Sequence, residues 1–160
     1  MPTKIDLAAL TAVIGTLYPP PFDEPCLPRE RTKLGDAAGL TQFGVNLLRL
    51  PPGAWSSQRH WHDNEDEFIY VLSGEVTLVT DAGAEILRPG DCAGFKAGDP
   101  DGHCLQNRST TEATILEIGT RAPGGTTSYN DIDMLAIGGI GYTHKDGTPY
   151  PKTPRRGPKS

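Results

Sequence analysis

Basic charge, cysteine and long apolar runs are all scarce in this chain. Its 15 Lys and Arg are outnumbered by 20 Asp and Glu, for a net charge of -5. That leaves no basic footprint for nucleic acid or for an anionic membrane surface, and nothing resembles a helix-turn-helix. No apolar run approaches the ~20 residues of a membrane span. The three cysteines, Cys26, Cys92 and Cys104, fit neither a disulfide framework nor a zinc knuckle. A reducing cytoplasm is the expected home. The opening "MPTKIDLAALTAVIGTLYPPPF" has little positive charge before its short apolar part and no clear A-x-A cleavage site, so it reads as mature sequence. No internal repeat of useful length is present.

What is abundant is punctuation: 19 Gly and 15 Pro in 160 residues. Such a composition suits many short strands joined by turns better than a helix bundle. Residues 1–40 read as an extended arm, with one short helix expected over 5–17 and extended backbone forced by "YPPPFDEP". From Thr41 onward, short runs occupy 41–50, 58–62, 67–72, 75–80, 84–88, 92–96, 103–107 and 113–119, separated by turn signals such as "PPG", "SG", "DAG" and "RPGD". Eight close-spaced strands without helical period imply an all-β antiparallel sandwich or barrel, in one domain spanning 1–160. Residues 121–160 read as a tail over the barrel, with one apolar patch near 132–140 and a frayed basic end.

The stretch "RHWHDNEDEF" (59–68) carries two of the four histidines. Strand alternation points His60 and His62 one way and Trp61 the other. Glu67 lies at an odd offset from His62, so an unbroken strand would turn it away from both. The turn-prone "DNED" between them can break the strand and reset that parity, bringing Glu67 to the inner face. His103 is the only histidine in a later run and could complete the set. Three imidazoles and one carboxylate suit Zn, Mn, Fe or Ni better than Ca or Mg, which prefer all-oxygen shells. In a six-coordinate site, two positions would stay open for water or substrate. Asp63, Glu65 and Asp66 are expected in a solvated acidic loop. Cys104 should face away from His103 as a small buried hydrophobe, and His144 is expected at the surface.

These residues resemble the cupin superfamily. Its first motif, G-x5-H-x-H-x3,4-E-x6-G, is matched by Gly53, His60, His62, Glu67 and Gly74, with one extra residue before His60. Its second, G-x5-P-x-G-x2-H-x3-N, is matched by Gly90, Gly98, His103 and Asn107. Lys96 stands where that motif has Pro, and two extra residues precede His103. The resemblance covers about residues 41–119. It implies a jelly-roll barrel as a single small bacterial cupin domain (arm 1–40, core 41–120, tail 121–160), a divalent metal on His60, His62, Glu67 and His103, and a homodimer whose arm crosses to the partner. The pattern "FKAG", "LEIGTR", "YNDIDM", "HKDGTPY" is similar to small cupins labelled as candidate sugar-phosphate isomerases. That label is analogy, since one scaffold hosts many chemistries.

The function expected is therefore metal-dependent isomerisation or epimerisation of a small oxygenated metabolite. An Fe(II) oxygenase and a non-catalytic small-molecule sensor are the alternatives. Lys96 and Tyr70 are the candidate catalytic groups, with Tyr129 and His144 as further bases from the tail. Arg49, Arg59, Lys96 and Arg108 are the candidate anion contacts.

Overall fold

The computed structural model describes residues 4–158. In chain order its strands are β1 (Val13–Ile14), β2 (Glu30–Lys33), β3 (Phe43–Leu50), β4 (His60–His62), β5 (Glu67–Ser73) and β6 (Val76–Thr80). They continue as β7 (Gly83–Leu87), β8 (Cys92–Phe95), β9 (Cys104–Gln106), β10 (Ala113–Thr120), β11 (Thr126–Tyr129), β12 (Leu135–Ile137) and β13 (Gly141–Thr143). The strands form three antiparallel sheets, ordered β1-β2-β3-β10-β5-β8, β13-β12-β11-β4 and β7-β6-β9. This is the all-β jelly-roll expected from the turn-punctuated sequence.

The main core lies on the inner face of the six-stranded sheet. On β5, Ile69 and Val71 are buried while Tyr70 and Leu72 are exposed, the period-2 signature of a half-buried strand. Leu48, Leu50, Val76, Leu105, Ala113 and Ile115 complete this core. Asn107, the last residue of the second motif, closes the loop beside it. Its amide donates to Leu50 O (2.7 Å) and Thr111 O (2.8 Å), and its Oδ1 accepts from Ser109 N (3.0 Å) and Oγ (2.7 Å).

Two expectations need correction. Residues 5–17 do not form one helix: a single 3-10 turn, Leu7–Ala9, precedes β1. Thr11, Val13, Ile14 and Thr16 are β-branched. Gly15 adopts φ +80, and a Cβ there would sit 1.7 Å from Arg156 O. The second correction concerns the arm and tail. β1 and β2 extend the six-stranded sheet of their own chain through β3. The tail supplies β11, β12 and β13, and β11 pairs directly with β4. Arm and tail also meet, because Thr16 and Arg156 exchange backbone hydrogen bonds of 2.9 and 3.0 Å. The end of the described chain is thus pinned, not frayed. A second core, of Tyr18, Cys26, Tyr129 and Met134, joins the two segments.

Candidate metal centre

The histidines and the glutamate arrive from different sheets. His60 and His62 lie on β4 in the four-stranded sheet, and Glu67 opens β5 in the six-stranded sheet. His103, just before β9, exchanges backbone hydrogen bonds with His60 (2.9 and 3.1 Å). Residues 63–66 therefore do more than reset parity. They carry the chain from one sheet to the facing one, so that Glu67 looks back at the histidines across the interior.

Asp63, Asn64 and Asp66 are exposed, as expected of a solvated loop, and the loop is also a set of caps. Asp63 Oδ1 accepts from Thr126 N (2.8 Å) and Asp66 Oδ1 from Ala97 N (2.8 Å). Glu65 Oε1 accepts from Ala122 N (3.2 Å), and Thr120 Oγ1 accepts from Asp66 N (2.9 Å). Each contact ties the loop to the chain flanking the site.

Glu67 Oε2 lies 2.7 Å from His103 Nε2, 3.3 Å from His62 Nε2 and 3.6 Å from His60 Nε2. Ligand-capable atoms of His60, His62 and Glu67 all fall within 4.8 Å of one another, and His103 joins them through Glu67. His60 Nδ1 sits 2.9 Å from Gln58 O. A carbonyl only accepts, so Nδ1 carries the proton and, in the neutral ring, Nε2 presents a lone pair. His62 Nδ1 is similarly held 2.9 Å from Thr127 Oγ1 on β11. His103 is fixed by Phe95, whose ring stacks on it at 3.6 Å with a 4° interplanar angle.

Glu67 Oε2 is buried and lacks an aligned hydrogen-bond partner among the described residues. A buried carboxylate oxygen this close to imidazole nitrogens needs a proton or a metal ion between them. The residues therefore fit a divalent metal, and three nitrogens with one oxygen suit a transition ion. Burial pushes the Glu67 carboxyl up, but the imidazoles of His103, His60 and His62 outweigh it and hold it well below the usual range. Burial lowers His103, overcoming its contact with Glu67, which favours the neutral, ligating form. Burial also pulls on His62, but Glu67 and its acidic neighbours raise it on balance.

A cavity of about 370 Å³ opens beside the four residues, between the six- and four-stranded sheets. Tyr129 lines it with its ring 5.8 Å from that of His60. A second hollow of about 280 Å³ shares His62, Glu67 and His103 and is walled by Trp61 and Lys96.

Several expected site residues lie elsewhere. Tyr70 is 39% exposed on the face of β5 opposite Glu67, because strand alternation puts residues three apart on opposite faces. Arg49 pairs with Glu112 at 2.7 Å, and Arg108 binds Gln106 Oε1 at 2.8 Å. Arg59 clasps Asp131 of the tail at 2.8 Å and also binds Asp81. His144 pairs with Asp133 at 2.8 Å and stacks on Tyr150 at 3.9 Å, away from the cavity wall. Cys104 is fully buried, as expected, donating to Ser57 O (3.0 Å), and burial pushes its thiol up to about 12.

The sequence reading missed Arg29, Arg31 and Glu117, all of which line the cavity. Glu117 shares the parity of buried Ile115 within "ATILEIG", and a charged residue on an inward face was the available signal. Arg29 and Arg31 sat inside a segment taken as an arm.

A jelly-roll with an inward cluster of three histidines and a glutamate defines a small β-barrel protein whose interior could hold a metal ion. Comparison with known proteins agrees: the Cupin domain family matches residues 46–119. A sugar phosphate isomerase of the cupin superfamily from Silicibacter pomeroyi is 47% identical over 93% of this chain and 97% of its own, with a TM-score of 0.89. The chain belongs to the cupin superfamily. It is also similar to a candidate sugar phosphate isomerase from Acidithiobacillus ferrooxidans, at 27% identity over 87% of this chain and 90% of that one, TM-score 0.73. Among curated proteins, a probable oxalate decarboxylase from Arthroderma benhamiae is 34% identical over 76 residues, 45% of this chain. The matched region spans only 19% of that longer protein.

Proposed function

We propose that this chain is a metal-dependent enzyme that isomerises or epimerises a small oxygenated metabolite, with sugar phosphates as the first substrate class to try. The observation that carries it is Glu67 Oε2, buried and without an aligned partner amid three imidazole nitrogens, beside a substrate-sized cavity. His60, His62, Glu67 and His103 are the proposed ligands. A bound Zn, Mn, Fe or Ni would polarise a substrate carbonyl or hydroxyl oxygen.

The chain's own groups do the rest. Gln58 O and Thr127 Oγ1 fix the orientation of His60 and His62. Burial raises the Tyr129 phenol well above its ordinary value, so it stays protonated and serves as a donor at the cavity wall. Lys96 is the proposed proton carrier on the other side of Glu67.

Elemental analysis of the purified protein is the first test, with one metal ion per chain expected and none in His60→Ala or His103→Ala. Equal metal in wild type and variants would overturn the site. Turnover of a sugar phosphate with oxygen excluded supports the isomerase, whereas strict dependence on oxygen with Fe(II) favours an oxygenase. We further propose a homodimer, supported by Tyr70 and Leu72 exposed on the outer face of β5. Light scattering should then give twice the 17.2 kDa chain mass, and a monomer mass would refute it. The three unpaired thiols fit the expected reducing cytoplasm, which fractionation of cells would test. No helix among the described residues is long and apolar enough to cross a membrane.

A further inference from the structure

Charge in the cavity is unevenly distributed. Arg29, immediately before β2, is only 8% exposed, yet no carboxylate pairs with it among the described residues. Its Nε donates to Gly15 O (3.2 Å) and its Nη1 to Ser56 O, and Nη2 has no acceptor among those residues. The face of Tyr18 lies 5.5 Å from its guanidinium carbon. Arg31 Nη2 shares the same Ser56 carbonyl at 3.2 Å, which holds the two cations side by side. Arg31 is clamped by Glu117 through bonds of 2.6 and 2.8 Å, leaving its Nη1 without an acceptor among the described residues. Two guanidiniums and one carboxylate give this wall a net charge of +1.

A buried cation is destabilising unless an anion or dense hydrogen bonding compensates it. Two carbonyls and a tyrosine face compensate Arg29 incompletely. Tyr18, Tyr129 and Tyr142 line the same cavity, and phenols are neutral donors that add no competing negative charge. A ligand bringing an oxyanion to this wall would complete the charge balance, with planar guanidinium geometry suited to its oxygens.

We propose that Arg29 and Arg31 form the anion-recognising pole of the cavity, and that the substrate is a small oxyanion, a phosphate ester or a carboxylate. It would present that group to the arginine wall and its reacting oxygen to the histidine cluster. Both arginines come from the segment before the motif-bearing core, so the arm carries substrate specificity. This assignment rests on the metal-dependent reading for the reacting end of the substrate, but the anion pole itself can be tested without metal.

The test is calorimetric titration of metal-stripped full-length protein with inorganic phosphate and, separately, with oxalate. Saturable binding of either is expected, and the tighter of the two identifies the oxyanion class. Arg29→Met should weaken it by about tenfold or more. Because Arg29 also holds Gly15 and Ser56, a variant of opposite sign guards against misfolding: Glu117→Gln removes the carboxylate that clamps Arg31 and should tighten binding several-fold. Neither variant should change metal content, so loss of the metal reading and loss of this one are separable. Absence of saturable binding of both anions to metal-stripped protein would overturn the proposal. So would unchanged affinity in folded Arg29→Met or weakened binding in Glu117→Gln.

Discussion

At the residue scale, the motif positions divide into those that hold chemistry and those that hold the chain. Asn107 illustrates the second kind. It is 1% exposed, and all four of its side-chain hydrogen-bonding contacts go to the loop leading from β9 to β10 or to the end of β3. Asn107→Ala would leave buried carbonyls and an amide without partners, so stability should fall by on the order of 3 kcal/mol. Denaturant unfolding checks this, with metal stoichiometry unchanged in the variant that remains folded. A loss below about 0.5 kcal/mol would contradict it. Gly74 is a second such position. Its φ is +73, and a Cβ there would sit 2.5 Å from Glu112 O, which restricts the turn between β5 and β6 to glycine. The convergence of His60 and His62 was legible from strand parity, that of Glu67 from a turn able to reset it, and that of His103 from its being the one histidine in a later run. Tyr70 failed the same parity rule when counted from Glu67.

At the scale of elements, the eight core strands were legible because Gly and Pro turns bracket each apolar run. What spacing could not reveal was that β4 and β5 belong to different sheets, since sheet membership depends on long-range pairing. The length of residues 63–66 is then set by the gap between two layers. Deleting Asn64 should abolish metal binding, because Glu67 can no longer reach the histidines while Asp63 and Asp66 stay anchored to Thr126 and Ala97. Asp66→Asn weakens one cap and should lower stability by about 1 kcal/mol with metal binding retained. Metal analysis and thermal melts of the two variants separate length from charge. Normal stoichiometry in the deletion variant would show that another route brings Glu67 inward.

At the scale of the whole molecule, the segments outside the motifs turn out to build the site. The tail read as a cover because its runs are short and rich in Gly and Pro. Only the pairing of Thr127 with His62 and of Tyr129 with His60 reveals it as the neighbour of the strand that carries both histidines. Removing residues 122–160 would expose the whole hydrogen-bonding edge of β4, strip Met134 and Tyr129 from the second core, and leave Arg59 without Asp131. A buried cluster lost together with a sheet neighbour exceeds the ~5–15 kcal/mol that holds a domain folded. That truncated chain should therefore be insoluble or lack a cooperative melt, although it keeps all four proposed ligand residues. Removing only residues 151–160 deletes the Thr16–Arg156 bridge and the Arg156–Asp23 ion pair. It should melt a few degrees lower while binding metal normally. If the longer truncation instead folds and binds one metal ion per chain, residues 1–121 are self-sufficient and the tail's strands are dispensable to the site.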